Sequence, residues 1–268
     1  MKLAIIGGTG VYDPAILDRV REETVETPYG QVTLKVGEYR GVEVGFLARH
    51  GTGHTVPPHK INYRANIAAL KLLGVERAIA TSAVGSLNPD MKPGTFVLLD
   101  QFIDFTKARA GTFFDGGPNG VVHLDYSEPY CPEIRAVLAR EAASLGIDVK
   151  DGGCYVCTEG PRFETPAEIR AFRIIGGDLV GMTSVPEVVL AREAGICYAS
   201  IAMATNWAAG ISPTPLTHEE VVEVMQANGE RLRALAMRAI EAVPEERGCR
   251  CGKAGAVPPW ARESGDGA

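Results

Sequence analysis

Residues Cys197 to Thr205 read Cys-Tyr-Ala-Ser-Ile-Ala-Met-Ala-Thr, a nearly continuous apolar run without a charge. A strand lacking apolar–polar alternation is covered on both faces, which places it centrally in a sheet. Shorter runs of the same kind lie at residues 2–6, 77–82, 97–100, 155–157 and 179–183. Helical patterns separate them. Asn62 to Leu73 carries a stripe at Ile67, Leu70 and Leu73 and closes at Gly74. Further helices are read at Pro132–Leu145, Pro166–Ile175 and Val185–Ala194. A long last helix runs to about Ala242, with Thr217 as its cap and Glu220 completing a capping box. This alternation implies a single α/β domain with a mixed, largely parallel sheet flanked by helices. Residues 31–36 and 42–47, joined through Gly41, read as a β-meander. Residues 107–131 are irregular and rich in Gly, Phe and Tyr, which suggests a lid over a site or a segment at a subunit contact.

With 268 residues and 46% apolar content, the chain can bury a large core. The domain is expected over residues 1–244. Beyond Pro244 the chain is polar and rich in Gly and Pro, so residues 245–268 are expected to form a flexible, mostly disordered tail. The net charge of −6 argues against nucleic acid or an anionic membrane as partner. The opening residues are too short for a signal-peptide core, and no run approaches ~18 apolar residues, so a cytoplasmic location is expected. Cys154-x-x-Cys157 and Cys249-Arg250-Cys251 together offer four thiols to zinc. Residues 154 and 157 lie on a strand, however, where positions three apart face opposite ways. No metal is expected, and the role of Cys249 and Cys251 stays open.

The chemistry gathers at strand ends, where open α/β sheets bind ligands. Residues 2–6 empty into Gly7-Gly8-Thr9-Gly10, a loop whose backbone can approach an anion. It is not a dinucleotide fingerprint, because Asp13 stands where a third glycine would open the helix. Arg49 and His50 end the meander beside glycines, as an anion clamp or a solvated basic turn. Ser82-Ala83 and Met182-Thr183 end two more strands, and Asn206-Trp207-Ala208 ends the central one. Between Gly160-Pro161 and the capped helix start Thr165-Pro166-Ala167-Glu168, a turn holds Phe163 beside Glu164. That pairing suits a flat hydrogen-bonding ligand such as a nucleobase; the alternative is a core ring beside a solvated acid. The set contains an anion clamp, an aromatic platform and amide and carboxylate groups, but no nucleophile with a base beside it. It looks like a site that binds an anion and a base-like ring and makes them react with each other.

The motifs GGTG, LARHG, GPRFETPAEIR, GMTSVPEVVLAR and TNWAAG, followed by THEEV, occur in this order over about residues 1–242. In them the chain resembles the trimeric purine nucleoside phosphorylase and methylthioadenosine phosphorylase family. The resemblance implies phosphorolysis, with phosphate as co-substrate, no metal or organic cofactor, and a homotrimer or a dimer of trimers. It assigns phosphate binding to Thr9, Arg49, His50, Ser82, Ala83 and Thr183. It places Met182 against the ribose, Phe163 on the base, and Glu164, Asn206, Trp207 and Ala208 around the substrate. Asn206 and His50 are the residues expected to be catalytic.

Three positions bear on which nucleoside is cleaved. An amide such as Asn206 can donate to O6 of a 6-oxopurine, whereas an ionised aspartate cannot. Glu164 can accept from N1–H and from the 2-amino group of guanine. His218 opens the last helix where the resemblance puts an apolar residue against a methylthio group, and a histidine can bind a 5′-hydroxyl instead. All three point to inosine and guanosine in purine salvage. The alternatives are methylthioinosine phosphorolysis, for which Val221 could supply part of an apolar pocket, and methylthioadenosine phosphorolysis. A short-chain oxidoreductase would need the absent third glycine and a Tyr-x-x-x-Lys pair. A non-catalytic nucleoside-binding module would leave the phosphate clamp unexplained.

Overall fold

The structure is a computed structural model that describes residues 1–7, 16–51, 53–212 and 217–261, apart from the side chains of residues 218 and 259. Its sheet is built from β1 (Leu3–Gly7), β2 (Asp18–Thr27), β3 (Gly30–Tyr39), β4 (Val42–Ala48), β5 (Arg77–Ser86), β6 (Phe96–Leu98), β7 (Gln101–Phe105), β8 (Val149–Asp151), β9 (Cys154–Thr158), β10 (Leu179–Gly181) and β11 (Cys197–Trp207). The helices are α1 (Tyr63–Leu72), α2 (Pro132–Ser144), α3 (Pro166–Ile174), α4 (Ser184–Glu193), α5 (His218–Ala242) and the short α6 (Cys251–Ala254).

The expected mixed, largely parallel sheet is present. β1 pairs in parallel with β4 and β5, β5 with β11, and β9 with β7 and β10. The meander β3–β4 is antiparallel, as its Gly41 turn requires. β11 lies between β5 and β6 and is buried along its length until Trp207, which is why it carries no polar alternation. Alternate residues feed the two faces. Ile5, Ile79, Ala199, Ile201 and Met203 point toward α2 and α5, whereas Ala4, Ile6, Ala78, Ala80 and Ala202 point toward α1 and α4. The small side chains of that second face meet Ala65, Ala68 and Ala69 of α1, so helix and sheet approach closely. Each fully buried isoleucine contributes ~1.5–3 kcal/mol to this packing.

Helix ends follow the sequence signals. Asn62 Oδ1 accepts from Ala65 N at 3.1 Å, and Gly74, with φ of +78°, turns the chain out of α1. At α3 the full capping box forms between Thr165 and Glu168. At α5, Thr217 Oγ1 accepts from Glu220 N at 3.2 Å.

Two elements depart from expectation. β2 is a ten-residue strand at the sheet edge that the sequence reading passed over, because its charges face water on both sides. The expectation of disorder after Pro244 also fails over residues 245–261. Arg77 donates to Glu246 O, Gly248 N to Glu133, and Ala256 N to Glu193 O. Trp260 packs edge-on against Phe113 and Tyr29. Composition misled here because a few residues, Cys251, Ala256 and Trp260 among them, pack on the core while polar backbone contacts tie the rest to distant elements. Among the described residues, no helix is long and apolar enough to cross a membrane.

Candidate functional site at an opening in the sheet

The site follows from an interruption along β5. β11 lines one edge of β5 from Arg77 to Ser86. On the opposite edge β1 pairs only as far as Ala80, and antiparallel β10 pairs only at Gly85 and Ser86. Among the described residues, positions 81–84 therefore have no strand partner on that edge. Ser82 and Ala83 lie in this opening, Ser82 half-buried and Ala83 exposed, although the rest of the strand is buried. The hydroxyl of Ser82 is buried and has no hydrogen-bond partner among the described residues. A buried polar atom of that kind is costly unless a ligand or water satisfies it. β10 runs antiparallel to β5 and so delivers Met182 and Thr183 toward the same opening, while parallel β1 and β4 deliver Gly7 and Arg49.

Arg49 is held rigidly. Its Nε and Nη2 donate to the two carboxylate oxygens of Glu187 at 2.7 and 2.6 Å, and its Nη1 donates to Thr81 O at 3.0 Å. Both partners are buried, and Tyr198 donates its hydroxyl to Glu187 at 2.7 Å. A guanidinium has five N–H donors, so two remain after these three bonds. The carboxylate keeps Arg49 firmly protonated despite burial. His50 Nδ1 lies 2.9 Å from Val56 O, and a carbonyl can only accept, so Nδ1 carries the proton. Its ring stacks on that of His54 with centroids 4.1 Å apart. Burial, reinforced by the charge of Arg49, lowers the His50 pKa to about 4. His50 is therefore neutral at neutral pH and offers Nε2 as an acceptor, not the cationic half of a clamp. Thr183 is buried, and its backbone N donates to Tyr155 Oη at 3.1 Å.

A second group of side chains lies at the ends of β9, β10 and β11. Thr158 donates to Glu164 Oε1 at 2.6 Å. Glu164 is 9% exposed, and burial raises its pKa. Phe163, next to it, is 42% exposed. Asn206 is 4% exposed and follows a bulge in β11. Its Oδ1 accepts from Thr205 Oγ1 and its Nδ2 donates to Trp207 O, both at 2.9 Å. One amide hydrogen and one lone pair remain. Gly85 admits this amide, because a Cβ there would stand 3.1 Å from Asn206 Nδ2. Ala208 N donates to Ser86 O and fixes the turn that follows. Met182 lies over Gly160, where a Cβ would clash with its sulfur.

Arg109 ties the irregular segment 107–131 down over these ends. It donates to the carbonyls of Met182, Val185, Thr158 and Glu159 and to the Tyr63 hydroxyl. Thr9 lies outside the described residues. His218 begins α5, but its side chain is also outside them.

The sequence reading did not find Glu187, Tyr198, Thr158 or Arg109. Glu187 left a trace: an acid inside Val185-Pro186-Glu187-Val188-Val189-Leu190 must be buried, and a buried carboxylate needs a cation. The other three act through contacts between distant segments and leave no local pattern.

Residues 2–241 match the family model described as "Phosphorylase superfamily". A protein of Moorella thermoacetica named "Probable 6-oxopurine nucleoside phosphorylase" is 64% identical over 251 residues, covering 94% of this chain and 96% of its own. The "6-oxopurine nucleoside phosphorylase" of Pyrococcus furiosus is 60% identical over 256 residues, covering 93% and 96%. Among solved structures, methylthioadenosine phosphorylase from Schistosoma mansoni in complex with adenine superposes with a TM-score of 0.87 at 37% identity, covering 92% of this chain and 93% of that one.

Proposed function

The chain belongs to the phosphorylase superfamily, and from that premise we propose that it cleaves 6-oxopurine nucleosides with phosphate. The products are the free base and ribose 1-phosphate. The observation that carries this reading is a buried amide and a buried carboxylate, Asn206 at the end of β11 and Glu164 after β9. The free amide hydrogen of Asn206 can donate to O6, and its free lone pair can accept from the ring. Glu164 keeps Oε2 for N1–H and for the 2-amino group of guanine, while Oε1 takes the Thr158 hydroxyl. Adenine presents a bare N1 lone pair, which a carboxylate repels. A site built on such hydrogen bonds can reject the wrong partner by ~10⁴ or more.

Phosphate occupies the opening beside residues 81–84. Two spare N–H groups of Arg49, the Ser82 hydroxyl, the backbone at Ala83 and the Thr183 hydroxyl supply donors, together with Thr9. Neutral His50 accepts a hydrogen bond from monohydrogen phosphate at Nε2, and the phosphate stays a dianion. A phosphate oxygen attacks C1′ while the C1′–N9 bond breaks and its electron pair leaves with the purine. The sugar becomes cation-like in between, and the phosphate dianion stabilises it. Asn206 stabilises the charge that develops on the departing base. Such preorganised donors are worth ~10²–10³ in rate each. Met182 lies against the ribose, Phe163 and Trp207 against the base, and His218 bonds the 5′-hydroxyl. No metal and no organic cofactor takes part in this chemistry. The assembly is a homotrimer or a dimer of trimers, in which a subunit contact covers the exposed ring of Phe163; sedimentation of the full chain tests this.

Base release from inosine, guanosine, adenosine, methylthioinosine and methylthioadenosine, measured in parallel with phosphate present, tests the specificity. Inosine and guanosine are expected to be cleaved fast and the other three slowly. Preference for methylthioinosine would keep the role of Asn206 and remove that of His218. Preference for either adenine nucleoside would overturn the pairing of Glu164 and Asn206 with the base.

A further inference from the structure

Four cysteines from three distant parts of the chain meet at the other end of the sheet. Cys131 immediately precedes α2, Cys197 begins β11, and Cys249 and Cys251 flank Arg250 at the start of α6. Their sulfurs all lie within 4.8 Å of one another, and those of Cys197 and Cys249 are 3.4 Å apart. All four are free thiols. Four thiolates at the usual zinc–sulfur distance of ~2.3 Å on a tetrahedron place their sulfurs about 3.8 Å apart, which matches this cluster. Cys131 and Cys197 are fully buried, Cys251 is 5% exposed and Cys249 is half-buried, and four thiolates fill a tetrahedral ion's coordination without an open position.

The backbone around the cluster is fixed independently of the sulfurs. Cys131 N donates to Tyr198 O at 2.7 Å, and Cys197 N donates to Glu76 O at 2.9 Å. Arg77, opposite Cys197 in register, donates to Glu133 Oε2 at 2.5 Å and to Glu246 O at 2.7 Å. Glu133 in turn accepts from Gly248 N at 2.9 Å. Arg247 donates to Gly195 O at 3.0 Å. These bonds bring the Cys-x-Cys turn onto the two core cysteines.

We propose that Cys131, Cys197, Cys249 and Cys251 form a structural zinc site that fastens residues 245–261 to the sheet. Binding converts four thiols to thiolates, forms four Zn–S bonds and releases four protons to solvent, so the zinc centre carries a charge of −2. The core cysteines are 66 positions apart in the chain, and Cys249 follows Cys197 by 52. The ion therefore closes long loops, where a cross-link restrains the unfolded chain most. The site is remote from the nucleoside, since Cys197 and Asn206 stand at opposite ends of β11, about 30 Å apart at ~3.3 Å per residue. The pairing was not legible from spacing. Cys154 and Cys157, the other candidates for partnership with Cys249 and Cys251, lie outside the cluster.

The test is elemental analysis of the full chain purified under anaerobic, reducing conditions and incubated with Zn²⁺, then freed of loosely held metal. One zinc per chain is expected, and at least a tenfold loss in the Cys249→Ser, Cys251→Ser double variant. The cobalt-substituted wild type should show the strong thiolate-to-metal charge transfer and visible bands of a tetrahedral tetrathiolate, which keeps the test decisive if the variant does not fold. The variant should also lose thermal stability while its rate of base release at 25 °C stays within about twofold, because the cluster touches no substrate group. Less than a tenth of an equivalent of zinc, iron in its place, or disulfides between these cysteines in the anaerobic protein would each overturn the assignment.

Discussion

The two ends of β5 carry the same kinds of groups and finish them differently. At the N-terminal end, Arg77 is 2% exposed, its charge meets Glu133, and a second bond goes to a backbone carbonyl of the last segment. At the C-terminal end, Arg49 is equally buried and meets Glu187, but around it the polar groups are incompletely matched. Ser82 Oγ has no partner among the described residues, the Glu164 carboxyl has one donor, and the Asn206 amide has capacity to spare. Burial with partners drawn from distant segments, as at Arg77, fastens the chain; burial with a polar atom left without a partner, as at Ser82 Oγ, builds a receptor. The first end fastens the chain and the second awaits ligands.

The comparison breaks most visibly at the Arg49 ion pair. Removing one partner of a buried pair strands the other charge, at ~3–5 kcal/mol. Glu187→Ala should lower unfolding free energy in urea by about that amount and raise the KM for phosphate, since Arg49 loses its orientation. A loss below ~0.5 kcal/mol would mean that water reaches this pair and that the opening is wetter than its burial indicates.

The base-facing pair comes next. Asn206→Asp should lower kcat/KM for inosine by ~10²–10³ and narrow its margin over adenosine, with thermal stability little changed. Unchanged selectivity would remove Asn206 from base recognition. Glu164→Gln replaces a charged acceptor by a neutral one, a loss of ~1.5–3 kcal/mol. That corresponds to roughly ten- to a hundredfold in kcat/KM, and it should be larger for guanosine, which offers an additional donor.

The smallest effect concerns pH. The folded-state pKa of His50 is lowered to about 4 from its ordinary 6.5. Between these values the unfolded chain binds the proton and the folded chain does not. The contribution of His50 to stability is thus complete above pH 6.5 and is lost as pH falls toward 4. His50→Asn should flatten the acid limb of a melting-temperature profile in that window and raise the KM for phosphate at neutral pH. A profile identical to that of the wild type would place the titration elsewhere.

How much of this was legible in the sequence divides along the same line. The centre of the sheet announced itself, because β11 is uninterrupted by polar side chains and the caps at Asn62, Thr165 and Thr217 are local signals. The residues around the opening were also legible, since they sit at strand ends beside glycines and hydroxyls. The opening itself was not, because it exists only where β1 stops and antiparallel β10 begins, a matter of register between distant segments. The charge state of His50 was missed for a related reason: a histidine beside an arginine reads as a cation until burial and the Val56 carbonyl are known. The last segment was misread because its anchors, Glu133, Arg77 and Gly195, lie far back in the chain.

The most direct test of the central claim is to follow inosine cleavage by phosphorus NMR in phosphate buffer while measuring hypoxanthine. A receptor for both phosphate and nucleoside at the C-terminal end of β5 predicts a sugar 1-phosphate signal that grows in step with free base, and no base release when phosphate is omitted. Base release at the same rate without phosphate, yielding free ribose, would contradict it.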